Sequence, residues 1–196
     1  MKKMMMMLVV AMAALTASAQ NTLRENGTFT LQPKVGVGFG VLSGSWTSAP
    51  GVDKKTRVGL IAGVEGEYYI NSWFSAAVGV NYAQQGWKFE GNGAKSTTKL
   101  DYLNVPIVAN FYVTPGLALK TGVQMGFLMS AKQESTDIKD NCNKLNISIP
   151  IGISGEYNDF VFDARYNIAV SKVNKHGDDS RRSDLITLTI GYKFEL

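Results

Sequence analysis

The residues best suited to chemistry lie in the stretch KVNKHGDDSRRSD, where His176, the one histidine of the 196-residue chain, is followed by Asp178, Asp179, Ser180 and Ser183. A histidine near a carboxylate and a hydroxyl supplies the parts of a general base and a nucleophile, as a hydrolase or acyltransferase needs. Polar loops are rich in these residue types for conformational reasons, so proximity in sequence carries little weight. Metal chemistry has thinner support: one His and one Cys, Cys142, serve the whole chain, and the acidic residues lack the Asp-x-Asp-x-Asp-Gly spacing of a calcium loop. The run GVGFG at residues 36–40 reads as strand interior, with no helix after it to make a phosphate cradle. We therefore expect no catalytic residues, no metal and no cofactor. What remains is a set of charges scattered singly along the chain: Lys34, Glu65, Glu67, Asp101, Lys120, Glu156, Asp163, Arg165 and Lys193.

These charges sit in segments that alternate with period two, the mark of strands with two different faces. The clearest pair runs from Asp101 to Met129, DYLNVPIVANFYV and LALKTGVQMGFLM around Thr-Pro-Gly. Six further segments alternate similarly, around Pro33 to Ser43, Val58 to Ile70, Phe74 to Gln84, Leu145 to Tyr157, Phe160 to Val170 and Leu185 to Phe194. Three connections are very short and four are about 14 to 16 residues long, in strict alternation, an asymmetry that outer-membrane barrels show. Strands of this length, tilted, suffice to cross hydrocarbon. The expected fold is all-β, an eight-stranded antiparallel transmembrane up-and-down β-barrel over residues 28–196, with both termini periplasmic and the long loops extracellular.

The distribution of charge and size assigns the faces. One parity carries the nine charges named above; the other is expected to carry none, since a Lys or Arg facing lipid at the midplane costs about 2–4 kcal/mol. Nearly all strand glycines, among them Gly36, Gly59, Gly63, Gly122 and Gly152, share the charged parity. The interior of eight strands is only just wide enough for side chains, so small residues belong inside. A soluble lipocalin-like barrel would invert this arrangement. The nine charges are accordingly read as a lumenal network of ion pairs that fills the interior, with an ion path as the alternative. Aromatic residues such as Tyr69, Trp73, Phe74, Phe111, Tyr112, Phe160 and Tyr192 cluster by the short turns, as a membrane-interface girdle would.

Residues 1–19 read as a signal peptide: Lys2 and Lys3, an apolar run, then Ala17-Ser18-Ala19. Residues 20–27 form a short polar lead-in. Of the 20 basic residues two belong to this leader, so the formal charge of +4 is no signature of nucleic-acid binding. Cys142 is alone, which excludes an intramolecular disulfide. The loops lean basic and suit contact with lipid and lipopolysaccharide headgroups, and Trp46, Trp87 and Phe89 are read there as exposed rings for adhesion.

At Tyr102, Leu103, Val105 and Pro106 the fourth strand resembles the PorT-like outer-membrane barrels of the Bacteroidetes. The resemblance implies the barrel fold and a place in the cell envelope, with a secretion-associated role for some members, but no set of functional residues. The last strand, with Tyr192 and Phe194 before a terminal Leu196, is similar to the signal read by the barrel-insertion machinery. The expected role is structural or surface-interacting and non-enzymatic. A narrow channel, a secretion component, a lipid-modifying enzyme and a soluble ligand-binding barrel are the alternatives.

Overall fold

A computed structural model describes residues 25–43, 52–91, 94–133, 136–139, 143–171 and 182–196. Residues 1–19, read from the sequence as a signal peptide, Cys142, and the group His176, Asp178, Asp179 and Ser180 lie outside them. The chain forms β1 (Phe29–Ser43), β2 (Val52–Asn71), β3 (Phe74–Gly91), β4 (Ala94–Thr114), β5 (Leu117–Gln133), β6 (Thr136–Asp137), β7 (Leu145–Tyr157), β8 (Phe160–Ala169), β9 (Arg182–Tyr192) and β10 (Phe194–Glu195). Every neighbour pair is antiparallel. β1 pairs with β2 on one side and with β9 and β10 on the other, which closes the sheet. β10 continues β9 in the same register, and β6 is a two-residue arm on β5, so the wall has eight strands.

Local chemistry explains the short turns. Pro115 presets the backbone for Gly116, whose φ of 78° is one that glycine adopts without penalty. Asn158 and Asp159 both have positive φ, 46° and 66°, as a tight type I′ hairpin requires and as Asn and Asp tolerate. At the opposite end the strands run further than their apolar alternation. Residues 85–100, expected as a loop, pair from Gln85↔Leu100 to Gly91↔Ala94, and β2 begins at Val52. β4, with 21 residues, spans roughly 50 Å along the barrel axis at about 3.3 Å per residue and a tilt near 40°, about twice the apolar band. The wall therefore projects beyond the membrane as paired strands.

Three prolines interrupt the ladders without shifting them. Pro33 falls between Leu31↔Phe194 and Lys34↔Gly191, Pro106 between Val78↔Ile107 and Asn81↔Asn104, and Pro150 between Gln124↔Ser148 and Thr121↔Ile151. Each lacks the N–H that the ladder would use.

The outward face is apolar over its middle: Val35, Val64, Val78, Ile107, Leu119, Val123 and Ile151 are all exposed. Exposure of such side chains all round the wall is what hydrocarbon solvent stabilises, not water. Near the short turns, Trp73, Phe74 and Phe111 pack in one cluster, with the Phe74 and Phe111 ring centroids 5.2 Å apart. Phe160, Tyr192 and Phe194 form another. Tyr69 and Tyr112 depart from this girdle and point inward.

Trp87 also differs from expectation. It is buried with Leu100, Tyr102, Leu128 and Ala131, and Ile138 packs against them. β3 places Trp87 on the inward parity of Ala77, Ala83 and Gln85, so its ring fills the barrel beyond the polar layers and is not an exposed adhesive group. In single-tryptophan variants reconstituted with brominated lipids, Trp73, 57% exposed, is expected to be quenched strongly and Trp87 weakly. Equal quenching would contradict the inward placement. Trp46 and the Phe89 side chain lie outside what is described.

Candidate functional site in the barrel lumen

Eight of the nine expected charges face the lumen and are buried: Lys34, Glu65, Glu67, Lys120, Glu156, Asp163, Arg165 and Lys193. Asp101 does not. Inward positions on β4 are even-numbered, from Thr98 to Asn110, which puts Asp101 on the same face as Leu103. It lies toward the long-loop end of β4, above the apolar rows, where an outward carboxylate meets water and headgroups and has no need of the interior.

The eight charges form two groups. In the first, Glu65 on β2 is the centre. Lys34 Nζ donates to its Oε2 at 2.6 Å, and Arg165 Nη2 reaches both oxygens at 2.9 and 2.8 Å. Lys120 Nζ stands 3.4 Å from Oε1 and 2.9 Å from Asp163 Oδ2. Arg165 also grips Asp163 from the same strand, with Nε to Oδ1 at 2.8 Å and Nη2 to Oδ2 at 2.7 Å. Arg165 thus ties β8 to β2 across the lumen, a use suited to a planar fork of donors.

The second group lies toward the short turns. Lys193 Nζ stands 2.9 Å from Glu67 Oε2 and 2.8 Å from Glu156 Oε2. It also donates to Tyr69 Oη at 2.7 Å and lies over the Tyr69 and Tyr112 rings, 5.3 and 5.8 Å from their centroids, a favourable cation–π placement. Tyr112 Oη and Asn110 Nδ2 donate to Glu67 Oε1 at 2.6 and 2.7 Å, and Ser75 Oγ donates to the same oxygen.

Charge nearly balances in each group. The first holds Lys34, Lys120 and Arg165 against Glu65 and Asp163; the second holds Lys193 against Glu67 and Glu156. Together they are four bases and four acids, the neutral sum that a low-dielectric interior favours. Asp184, a further buried acid, stands apart and accepts from the Ala169 amide and the Tyr166 hydroxyl at 2.9 and 2.8 Å. Ser183, named beside the histidine, is buried at the start of β9. Among the described residues no group of His, Cys, Asp and Glu is placed to hold a metal.

Beyond the charges, toward the long loops, lies a cavity of about 20 Å³ lined by Asn81, Asn104, Gln124, Asn167, Arg165 and Thr187, polar and sized for about one water. Ile61, Ala83 and Leu185 pack beside it, and the Trp87 cluster closes the barrel further on. The lumen is thus filled in layers: tyrosines and Lys193, then the Glu65 group, then amides, then apolar rings. Tyr69, Tyr112, Ser75 and Asn110 were not singled out as site residues from the sequence. Their inward parity was available, but no local signal marks a tyrosine as an ion-pair partner.

A closed eight-stranded wall with an apolar outer face and a charge-paired, packed interior defines a transmembrane β-barrel of the outer membrane. The chain belongs to the outer membrane protein beta-barrel domain family, whose model matches residues 18–175. Among solved structures it is similar to Ail, the attachment invasion locus protein of Yersinia pestis, in complex with the heparin analogue sucrose octasulfate. That match has a TM-score of 0.53 and 19% identity over 86% of this chain and 99% of that one. OprG from Pseudomonas aeruginosa gives 0.52 and 10% over 89% and 99%, and neisserial surface protein A gives 0.51 and 17% over 85% and 97%. At these identities the likeness is one of fold. Comparison with curated proteins gives no match.

Proposed function

We propose that this outer-membrane barrel has a structural or surface-interaction role, is not an enzyme, and does not conduct through its lumen. The observation that carries this reading is the Arg165 bridge from Glu65 to Asp163, which occupies the middle of the barrel beneath the Trp87 cluster. An ion would have to break several buried charge pairs to pass, a step costing several kcal/mol. Planar-bilayer recordings of the purified protein are expected to show no steady conductance. A stable, ion-selective current would overturn the reading in favour of a narrow channel.

The barrel sits with both termini and the short turns on the periplasmic side and the extended strands outside, after export directed by residues 1–19. The alternation of tight turns with longer connections supports this orientation. Its partners are outer-membrane lipid, lipopolysaccharide headgroups and, during assembly, the barrel-insertion machinery.

The finer resemblance to PorT-like barrels rests on Tyr102, Leu103, Val105 and Pro106. Tyr102 and Pro106 are both fully buried, so the motif serves packing and supports a scaffold role. A secretion or adhesion partner is a second surface reading, and crosslinking from intact cells followed by affinity capture distinguishes the two.

A further inference from the structure

On the outward face, beyond the last apolar rows of β4 and β5, Lys99 and Lys132 are direct cross-strand partners, and both are exposed. Like charges opposite one another in a ladder repel. No ion pair among the described residues involves either ammonium. Asp137, the neighbour of Lys132 on β6, turns an oxygen to the Lys139 amide at 2.8 Å. Lys139 Nζ in turn donates to the Met129 carbonyl at 2.9 Å, adding a third cation to this edge.

The height of the pair is informative. Phe127 and Met129, both exposed, are the last outward apolar side chains of β5. Lys132 follows three residues later, roughly 8 Å further along the barrel axis, the depth of headgroup phosphates above hydrocarbon. The other strand neighbour of Lys99 is Gly86, which carries no side chain and leaves that flank open.

We propose that Lys99 and Lys132 form a seat for a phosphate of an anionic lipid headgroup in the leaflet at the long-loop end. Paired strands hold the two stems about 5 Å apart at Cβ. Both ammonium groups therefore converge on one phosphate, and their mutual repulsion becomes attraction to the shared anion. This inference rests on the orientation proposed above.

The test measures the temperature at which the folded, heat-modifiable band is lost in vesicles with and without bisphosphorylated lipid A. The native chain is expected to gain several degrees from lipid A and little from its dephosphorylated form. The Lys99→Gln/Lys132→Gln variant is expected to match the native chain in zwitterionic vesicles and lose at least half of the gain. Lys99→Arg/Lys132→Arg is expected to keep it. A full lipid A response in the glutamine variant, or an equal response to the dephosphorylated lipid, would overturn the seat. Orientation is read separately by labelling Thr136→Cys, in a Cys142→Ser background, with an impermeant maleimide on intact cells. Labelling supports the outer-leaflet placement; absence of labelling in whole cells but not in lysates overturns it, and the seat with it.

Discussion

Replacing Glu65 with glutamine is expected to lower the unfolding free energy of the lipid-embedded barrel by about 3–5 kcal/mol. Glu65 is fully buried and contacts Lys34, Lys120 and Arg165. The substitution preserves shape and leaves three cations around the single carboxylate of Asp163, so the loss measures uncompensated buried charge. Urea titration of the folded barrel in vesicles provides the readout. Glu25→Gln, at an exposed position, is the control and is expected to stay within about 0.5 kcal/mol. Adding Lys34→Met to Glu65→Gln is expected to recover part of the loss, because the two groups share one network. A loss under about 1 kcal/mol for Glu65→Gln would show that water solvates the lumen and that the network is not a packed core.

The second large effect is steric. A Cβ built on Gly36 would lie 2.0 Å from the carbonyl oxygen of Leu188, a backbone atom of β9 that no rotamer change can move. Because β1 and β9 form the closing seam, Gly36→Ala is expected to force the seam apart. The cost is that of overpacking, about 1–3 kcal/mol, and is expected to appear as a smaller folded, heat-modifiable fraction after refolding into vesicles. Gly66→Ala is the matched contrast, since its nearest contact would be the Phe29 ring edge at 3.0 Å, which can turn aside. Equal folded yields for the two variants would contradict the close approach at the seam.

The membrane-embedded part of the wall was legible because two solvents impose two faces. Lipid outside and a narrow lumen inside make Val, Ile and Leu alternate with Gly, Asn and charge, as along Gly59 to Tyr69. Above the bilayer the outer face meets water and that contrast fades. KSTTKL at residues 95–100 therefore reads as a loop although it is paired strand. Only the inner face still carries a signal there, in Trp87 and Leu100. The dipeptide Asn92-Gly93, a strong hairpin signature, was the available clue to the extension. Asp101 was misplaced for the same reason, since beyond the apolar band a charge no longer identifies the lumen. Pairing within the network was not legible at all. Arg165 meets Glu65, 100 residues away, only because strand stagger brings β8 and β2 to one height.

Two of the three prolines, Pro106 and Pro150, bear on how the closed sheet comes to have one alignment. The flanking pairs place Pro106 opposite Gly79 and Pro150 opposite Gly122. A one-residue slip would turn lumen groups out to lipid. A two-residue slip keeps every face correct and is the more dangerous error. It would set Pro106 against Ala77 or Asn81, and Pro150 against Lys120 or Gln124, where a side chain stands in place of a hydrogen atom. Pro106 and Pro150 therefore disfavour a misalignment that hydrophobic patterning alone would accept.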